Sequence, residues 1–280
     1  MPTSVTFRQT SPLAEEFWQS GRCAACPVID AHAHMGYWQS IYFPRPQAAG
    51  MVQAMDAAGV RLACFAHHAA LFAPEIGNDP AVEAVRQFPD RLRAYLCVNP
   101  HYGDLLDRDL RRFDALRDVF IGMKFLASYH KVPITDDRYR PALEFASQRR
   151  LPILLHTWGG SSFDGPPHVR ELAGKYPQVT FLLGHSLFGQ WEQAVAVARE
   201  FPNTYLELCA VLGVRGILEQ FVARAGSDRL LYGTDLPWFD EHQAIGAVML
   251  ADITDADRHN ILHRNARRLL SVLPGFPDAA

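Results

Sequence analysis

The chain has 280 residues, 49% of them apolar and 20% charged, with a formal net charge of −3. That makeup belongs to an ordinary globular protein with a large core, and the near-neutral charge offers no basic surface to hold a phosphate backbone, so nucleic acid is not an expected partner. No apolar run approaches a membrane span, and the opening MPTSVTFRQTSPLAEEFW lacks the basic-then-apolar layout of a secretory leader, so a cytoplasmic protein without membrane contact is expected.

Residues 1–26 read as an N-terminal extension packed beside or beneath one domain that spans 27–280. Within it Cys23 and Cys26 form a C-x-x-C. A lone pair of this kind is a weak zinc signal and is read as incidental. Cys64, Cys97 and Cys209 lie in apolar runs and are expected as buried thiols.

From residue 27 onward two patterns alternate. Apolar, β-rich runs stand at PVIDAHAH (27–34), VRLACFAH (60–67), LRAYLCVN (92–99), VFIGMKFL (119–126), LPILLHT (151–157), VTFLLGHS (179–186), NTYLELCA (203–210) and RLLYGTD (229–235). Segments with helical spacing follow each: 46–59, 79–90, 104–117, 137–150, 166–177, 189–202, 214–227 and the tail to ILHRNARRLLSVL. Several end in a stop signal before the next run: Ala58-Gly59, Phe88-Pro89, Tyr176-Pro177, Phe201-Pro202 and Ala225-Gly226. The runs are near-continuously apolar, the pattern of parallel strands covered on both faces. Eight such units in order predict an α/β fold, a closed (β/α)8 TIM barrel. The rival, an open doubly wound sheet, would carry a glycine-rich loop after its first strand. Here that strand runs into HAHMGYW instead.

Barrel enzymes place their chemistry at the C-terminal ends of the strands. Those ends supply His32 and His34, His67 and His68, Asn99, Lys124, His156, His185, Glu207 and Asp235. With His101, seven of the 12 histidines fall on or just past a strand end. Scattered histidines would not concentrate there. His32 and His34 share one face of an extended strand. Barrel closure brings Asp235 beside them, and His156 faces them from the opposite wall. Three imidazoles and a carboxylate suit one divalent ion, with Zn²⁺ the leading candidate and Mn²⁺ or Fe²⁺ also fitting. His185 is a ligand or an acid/base close by, and Asp235 can both bind the ion and accept a proton.

HAH on the first strand, His156 on the fifth, GHS on the sixth and GTDLPW after the eighth resemble the amidohydrolase superfamily. The similarity is to its amidohydrolase-related (amidohydrolase 2) group, which includes aminocarboxymuconate semialdehyde decarboxylase and relatives. VNP, GMK and the late NARRLL extend the resemblance from about Val28 to Leu270. It implies one metal held by His32, His34, His156 and Asp235, with His185 catalytic. It also implies that Lys124 meets a substrate carboxylate or carbonyl rather than bridging two metals, and it allows a homodimer.

The remaining strand-end residues carry less information. Of His67 and His68, one should line the pocket and the other face the helical shell. His101 and His130 are expected in loops, facing solvent. Glu207 supports the metal site or pairs with Lys124, and Asp30 is structural. Tyr37, Trp38, Trp158, Phe188 and Trp238 follow strand ends, and Trp38 and Trp158 are taken with Lys124 as the substrate-binding set. Arg45 or Lys124 would pair with a carboxylate. The expected function is hydrolysis of a small cyclic or aromatic carboxylic acid, lactone or amide by a metal-bound water. The alternatives are decarboxylation of an aromatic or unsaturated acid and a non-catalytic metal- or ligand-binding barrel.

Overall fold

A computed structural model describes residues 11–273 and Phe276. Eight parallel strands follow one another around it in sequence order. They are β1 Val28–Met35, β2 Val60–His67, β3 Leu92–Val98, β4 Phe120–Phe125, β5 Pro152–Trp158, β6 Thr180–Phe188, β7 Thr204–Glu207 and β8 Leu230–Leu231. β1, β3 and β4 are buried along their whole length, which is why their sequences are apolar without alternation. β8 is short, and the ring closes just beyond it through the backbone. Ala31 N–H donates to the Tyr232 carbonyl at 3.0 Å, Asp235 N–H to the His32 carbonyl at 2.6 Å and His34 N–H to the Leu236 carbonyl at 2.5 Å. The fold is the expected (β/α)8 barrel.

The connecting helices Ala48–Ala58, Asn78–Gln87, Gly103–Phe113, Arg140–Arg149, Pro166–Lys175, Trp191–Glu200 and Ile217–Ala225 fall in the segments read from spacing, two of them starting one residue earlier. Their stops have the expected causes. Gly59 takes a left-handed φ of 81° and its N–H closes on the Met55 carbonyl. The Phe-Pro pairs end two helices at Gln87 and Glu200, because the residue before proline leaves the helical region.

The helix Pro12–Ser20 and the short helices His68–Phe72 and Ala127–His130 add to that reading, and Glu241–Met249 opens the helical tail. His68–Phe72 follows β2 directly, and Glu241–Met249 starts at Asp240, whose carboxylate accepts from His242 and Gln243 N–H. Pro12–Ser20 lies in the extension, with Ser11 as its N-cap and Leu13 and Phe17 buried. Phe17 lies against Gly246, and Ser11 Oγ donates to Asp255 at 2.6 Å, so this helix leans on the C-terminal helices. Residues 1–10 of the extension fall outside the described residues. The tail is helical from Asp255 to Leu270 with a π turn at Asn260–Arg264. Among the described residues no helix is long and apolar enough to cross a membrane.

Candidate metal centre and active site

His32 and His34 leave β1 on the same side, as alternate strand residues must. Asp235 arrives from the segment that closes the barrel against β1. His34 Nε2 is 3.0 Å from Asp235 Oδ1, His32 Nε2 is 3.5 Å from the same oxygen, and the two ring nitrogens are 3.3 Å apart. These separations test whether a metal would fit. Three ligands each about 2.1 Å from one ion stand about 3.0 Å apart at a right angle and about 3.4 Å apart at the tetrahedral angle. The observed triangle has those edges, so the donor set fits a single divalent ion.

The triangle is held from behind. Glu207 Oε2 lies 2.7 Å from His32 Nδ1, both fully buried, which leaves Nε2 facing the group. This contact needs Gly233: a Cβ there would stand 2.2 Å from Glu207 Oε1 and 2.8 Å from the His32 Cβ. Asp30 sits one layer deeper, accepting from His32 N–H at 2.9 Å and from Thr234 Oγ1 at 2.5 Å, and so ties β1 to the closing segment. Burial pushes Asp30 and Glu207 up to about 7. His32 is held well below its usual value, first by burial and then by the Lys124 charge. Burial also pushes Asp235 upward, but His32, His34 and His185 outweigh it and keep the carboxylate ionised.

His156 approaches from the far wall and stands outside the compact triangle. Its Nδ1 lies 3.2 Å from the buried Asp164 and 3.4 Å from Ser128 Oγ. Its ring packs edge-on against His185, centroids 4.8 Å apart. His185 in turn lies 5.4 Å from the His32 ring. His185 and Asp235 both take left-handed backbone angles, φ 64° and 61°, and Ser186 and Leu187 continue the bend at 50° and 54°. Ser186 Oγ donates to the Glu207 carbonyl and Leu187 N–H to Thr157 Oγ1, which holds this strained turn in place.

Cys209 went unnoticed as a site residue. Its Sγ lies 2.9 Å from Glu207 Oε2 and 3.1 Å from both His32 Nδ1 and His185 Nδ1. The available signal was its place two residues after Glu207 at the end of β7. Asp164, eight residues past His156 in a loop, carried no signal.

Lys124 is buried on β4, with Nζ 2.9 Å from His32 Nε2. Burial holds its pKa down, against the pull of Asp235. Together with His34, His68, His156, His185 and Asp235 it forms the polar part of a cavity of about 190 Å³. Trp38, Trp158, Trp238, Tyr129 and Phe239 supply the aromatic wall. Trp158 is 39% exposed and lies at the opening, stacked on His156 and Phe188. Tyr37 and Arg45 are exposed and do not line the cavity, so Lys124 is the cation available to a carboxylate there.

His68 is the member of its pair that lines the cavity. It stacks on His34, accepts from Trp238 Nε1 at 3.1 Å, and its Nδ1 lies 2.8 Å from the Gly36 carbonyl. His67 instead caps the helix that follows, accepting from Ala69 N–H. His101 is exposed as expected. The solvent-facing reading of His130 is corrected: it is buried, between Tyr139 Oη at 3.0 Å and the Leu71 carbonyl at 2.5 Å. It also ends the short helix Ala127–His130 rather than sitting in a loop, and those two partners satisfy both ring nitrogens, which lets it go inside.

The chain resembles 2,6-dihydroxybenzoate decarboxylase from Rhizobium at 17% identity and a TM-score of 0.72, covering 88% of this chain and 98% of that one. It resembles 5-carboxyvanillate decarboxylase from Novosphingobium aromaticivorans, solved with manganese, at 14% identity and 0.69, covering 88% and 96%. A dihydroxybenzoic acid decarboxylase from Polaromonas, also with manganese, matches at 19% identity and 0.66, covering 88% and 97%. These identities speak for the fold. Protein fluG of Emericella nidulans is 32% identical over 163 residues, 48% of this chain, and the chain spans only 19% of that relative. The amidohydrolase family model matches residues 29–272. That stretch runs from the second residue of β1 past the last helix and takes in the whole barrel, so the chain belongs to the amidohydrolase family.

Proposed function

We propose that the protein is a metal-dependent decarboxylase of a small aromatic acid. The observation that carries this reading is the cavity: aromatic on its walls, charged at its base, and sized for one ring. A cavity of about 150 Å³ takes benzene, and about 190 Å³ leaves room for a few substituents. The relatives in fold named for dihydroxybenzoate and carboxyvanillate add support. Hydrolysis, placed first on the sequence, becomes the second reading.

His32, His34 and Asp235 would hold the ion, with His156 joining from the far wall. When bound it supplies a Lewis-acid contact for the carboxylate and any neighbouring ring oxygen. A nitrogen-and-oxygen donor set suits Mn²⁺ as well as Zn²⁺, and manganese in two of the resembling decarboxylases puts it beside zinc as an ion to load.

The chain's own groups do the rest. Trp38, Trp158 and Trp238 grip the ring faces and exclude water. Lys124 pairs with the carboxylate. His185, which burial keeps neutral in the empty cavity, is oriented through Cys209 at its Nδ1, takes up a proton from solvent when the anionic substrate enters, and delivers it to the ring carbon that bears the carboxylate. The carbon–carbon bond then breaks, its electron pair returns to the ring, and carbon dioxide leaves. The aromatic wall favours this step, since it converts a charged group into an apolar product.

The test is a substrate panel on protein loaded with Mn²⁺ or Zn²⁺: hydroxylated benzoates and methoxybenzoates beside lactones and amides of one ring. Carbon dioxide release from the acids supports decarboxylation. Ring opening or amide cleavage without carbon dioxide returns the assignment to hydrolysis. No turnover by metal-loaded protein in either panel favours a ligand-binding barrel.

A further inference from the structure

A second cluster of metal-ligating side chains lies at the other end of the barrel. Cys26 stands just before β1, at the end remote from the cavity, and is fully buried. His259 and His263 come from the last helical segment, at i and i+4, the spacing that puts two side chains on one helix face. That segment packs on the same end: Asn265 Nδ2 donates to the Ser227 and Leu230 carbonyls, at the start of β8, at 2.7 and 2.8 Å. One donor atom each from Cys26, His259 and His263 lie within 4.8 Å of one another.

The details favour ligation over packing. His259 Nδ1 is 3.0 Å from His263 Nε2, an edge length suited to two ligands of one ion. Among the described residues the two rings hydrogen-bond to each other, and the Cys26 thiol has the Pro27 carbonyl at 3.9 Å. The π turn at Asn260–Arg264 carries His263, and such turns recur where a helix is shaped for a site.

We propose that Cys26, His259 and His263 form a second metal site, suited to Zn²⁺, that joins the chain ahead of β1 to the last helical segment. A thiolate with two imidazoles is a zinc donor set, softer than the nitrogen-and-oxygen group at the cavity. Cys23, whose Sγ rests on Glu16 at 3.3 Å, stands three residues before Cys26. The two pairs together have the C-x2-C and H-x3-H spacing of tetrahedral zinc sites, and Cys23 or a water takes the fourth position. The site ties residue 26 to residues 259 and 263 across nearly the whole domain. This clamp on the closed end of the barrel is independent of the proposed reaction.

The test uses the full-length protein kept reduced, with its metal replaced by Co²⁺ and the ions counted. We expect about two ions per chain, and a thiolate-to-cobalt charge-transfer band in the near ultraviolet. Cys26→Ser should lose the band and one ion. Asp235→Asn should lose the other ion and keep the band. His263→Gln, at a half-buried position, repeats the first result if Cys26→Ser does not fold. The proposal fails if Cys26→Ser and His263→Gln leave the ion count unchanged. It also fails if the band survives Cys26→Ser and disappears in Cys209→Ala, which would put the thiolate at the cavity.

Discussion

Glu207 Oε2 meets His32 Nδ1 at 2.7 Å with both side chains fully buried, and this contact decides which nitrogen of His32 faces His34 and Asp235. Glu207→Gln keeps the volume and removes the charge. It should leave the fold intact and weaken metal affinity about 10- to 100-fold, the usual effect of losing a carboxylate behind a histidine ligand. Competition against a chelating dye measures this. Unchanged affinity would reduce Glu207 to a packing residue.

Lys124 stands 2.9 Å from His32 Nε2 and lines the cavity. As the partner of a substrate carboxylate, its replacement in Lys124→Met should raise KM about 10- to 100-fold, the loss of one charged hydrogen bond worth about 1.5–3 kcal/mol. Metal content should hold, because a like charge beside the ion is removed. A variant that loses its metal instead would make Lys124 a ligand.

His185 carries the proton in the proposed step. His185→Asn should bind metal as the wild type does and lose turnover by about a hundred- to ten-thousand-fold. Metal analysis and turnover on one preparation separate the roles. Loss of the ion would move His185 into the ligand set, and full activity would remove it from the mechanism. Exhaustive chelation of the wild type should abolish turnover, with Mn²⁺ or Zn²⁺ restoring it.

His130 gives a pH dependence away from the cavity. Burial lowers it to about 4 from the usual 6.5. The unfolded chain therefore takes up this proton first as pH falls. The stability His130 contributes is complete above about pH 6.5 and is lost toward about pH 4, to a limit of about 3 kcal/mol. Urea denaturation should show wild type losing more stability than His130→Gln across that window. Parallel curves would show that His130 titrates normally.

Much of this was legible in the residues. The strands announced themselves as apolar runs because both faces of a parallel barrel strand are covered. The helix stops at Phe88-Pro89 and Phe201-Pro202 are backbone sterics and need no tertiary context. His32 and His34 share a side because a strand has a period of two. The helix Pro12–Ser20 has a local start signal in its Ser11 cap and proline, but its place against Glu241–Met249 depends on packing.

Other relationships were not legible, and the reason is common to them. Cys209 against His185, Asp164 behind His156, and Lys124 beside His32 join residues from different strands or loops. Their meeting depends on register and closure around the ring, which no local pattern encodes. His130 went inside because Tyr139 and the Leu71 carbonyl happen to stand where its two nitrogens need partners. The preference between hydrolysis and carbon dioxide loss turned on a cavity whose walls come from loops after several strands. The sequence by itself determined the strands, most of the helices and the list of chemically able side chains, since these follow from periodicity and backbone sterics. Only the tertiary structure decided which of them touch, because a contact between distant residues is set by the packing of the whole barrel.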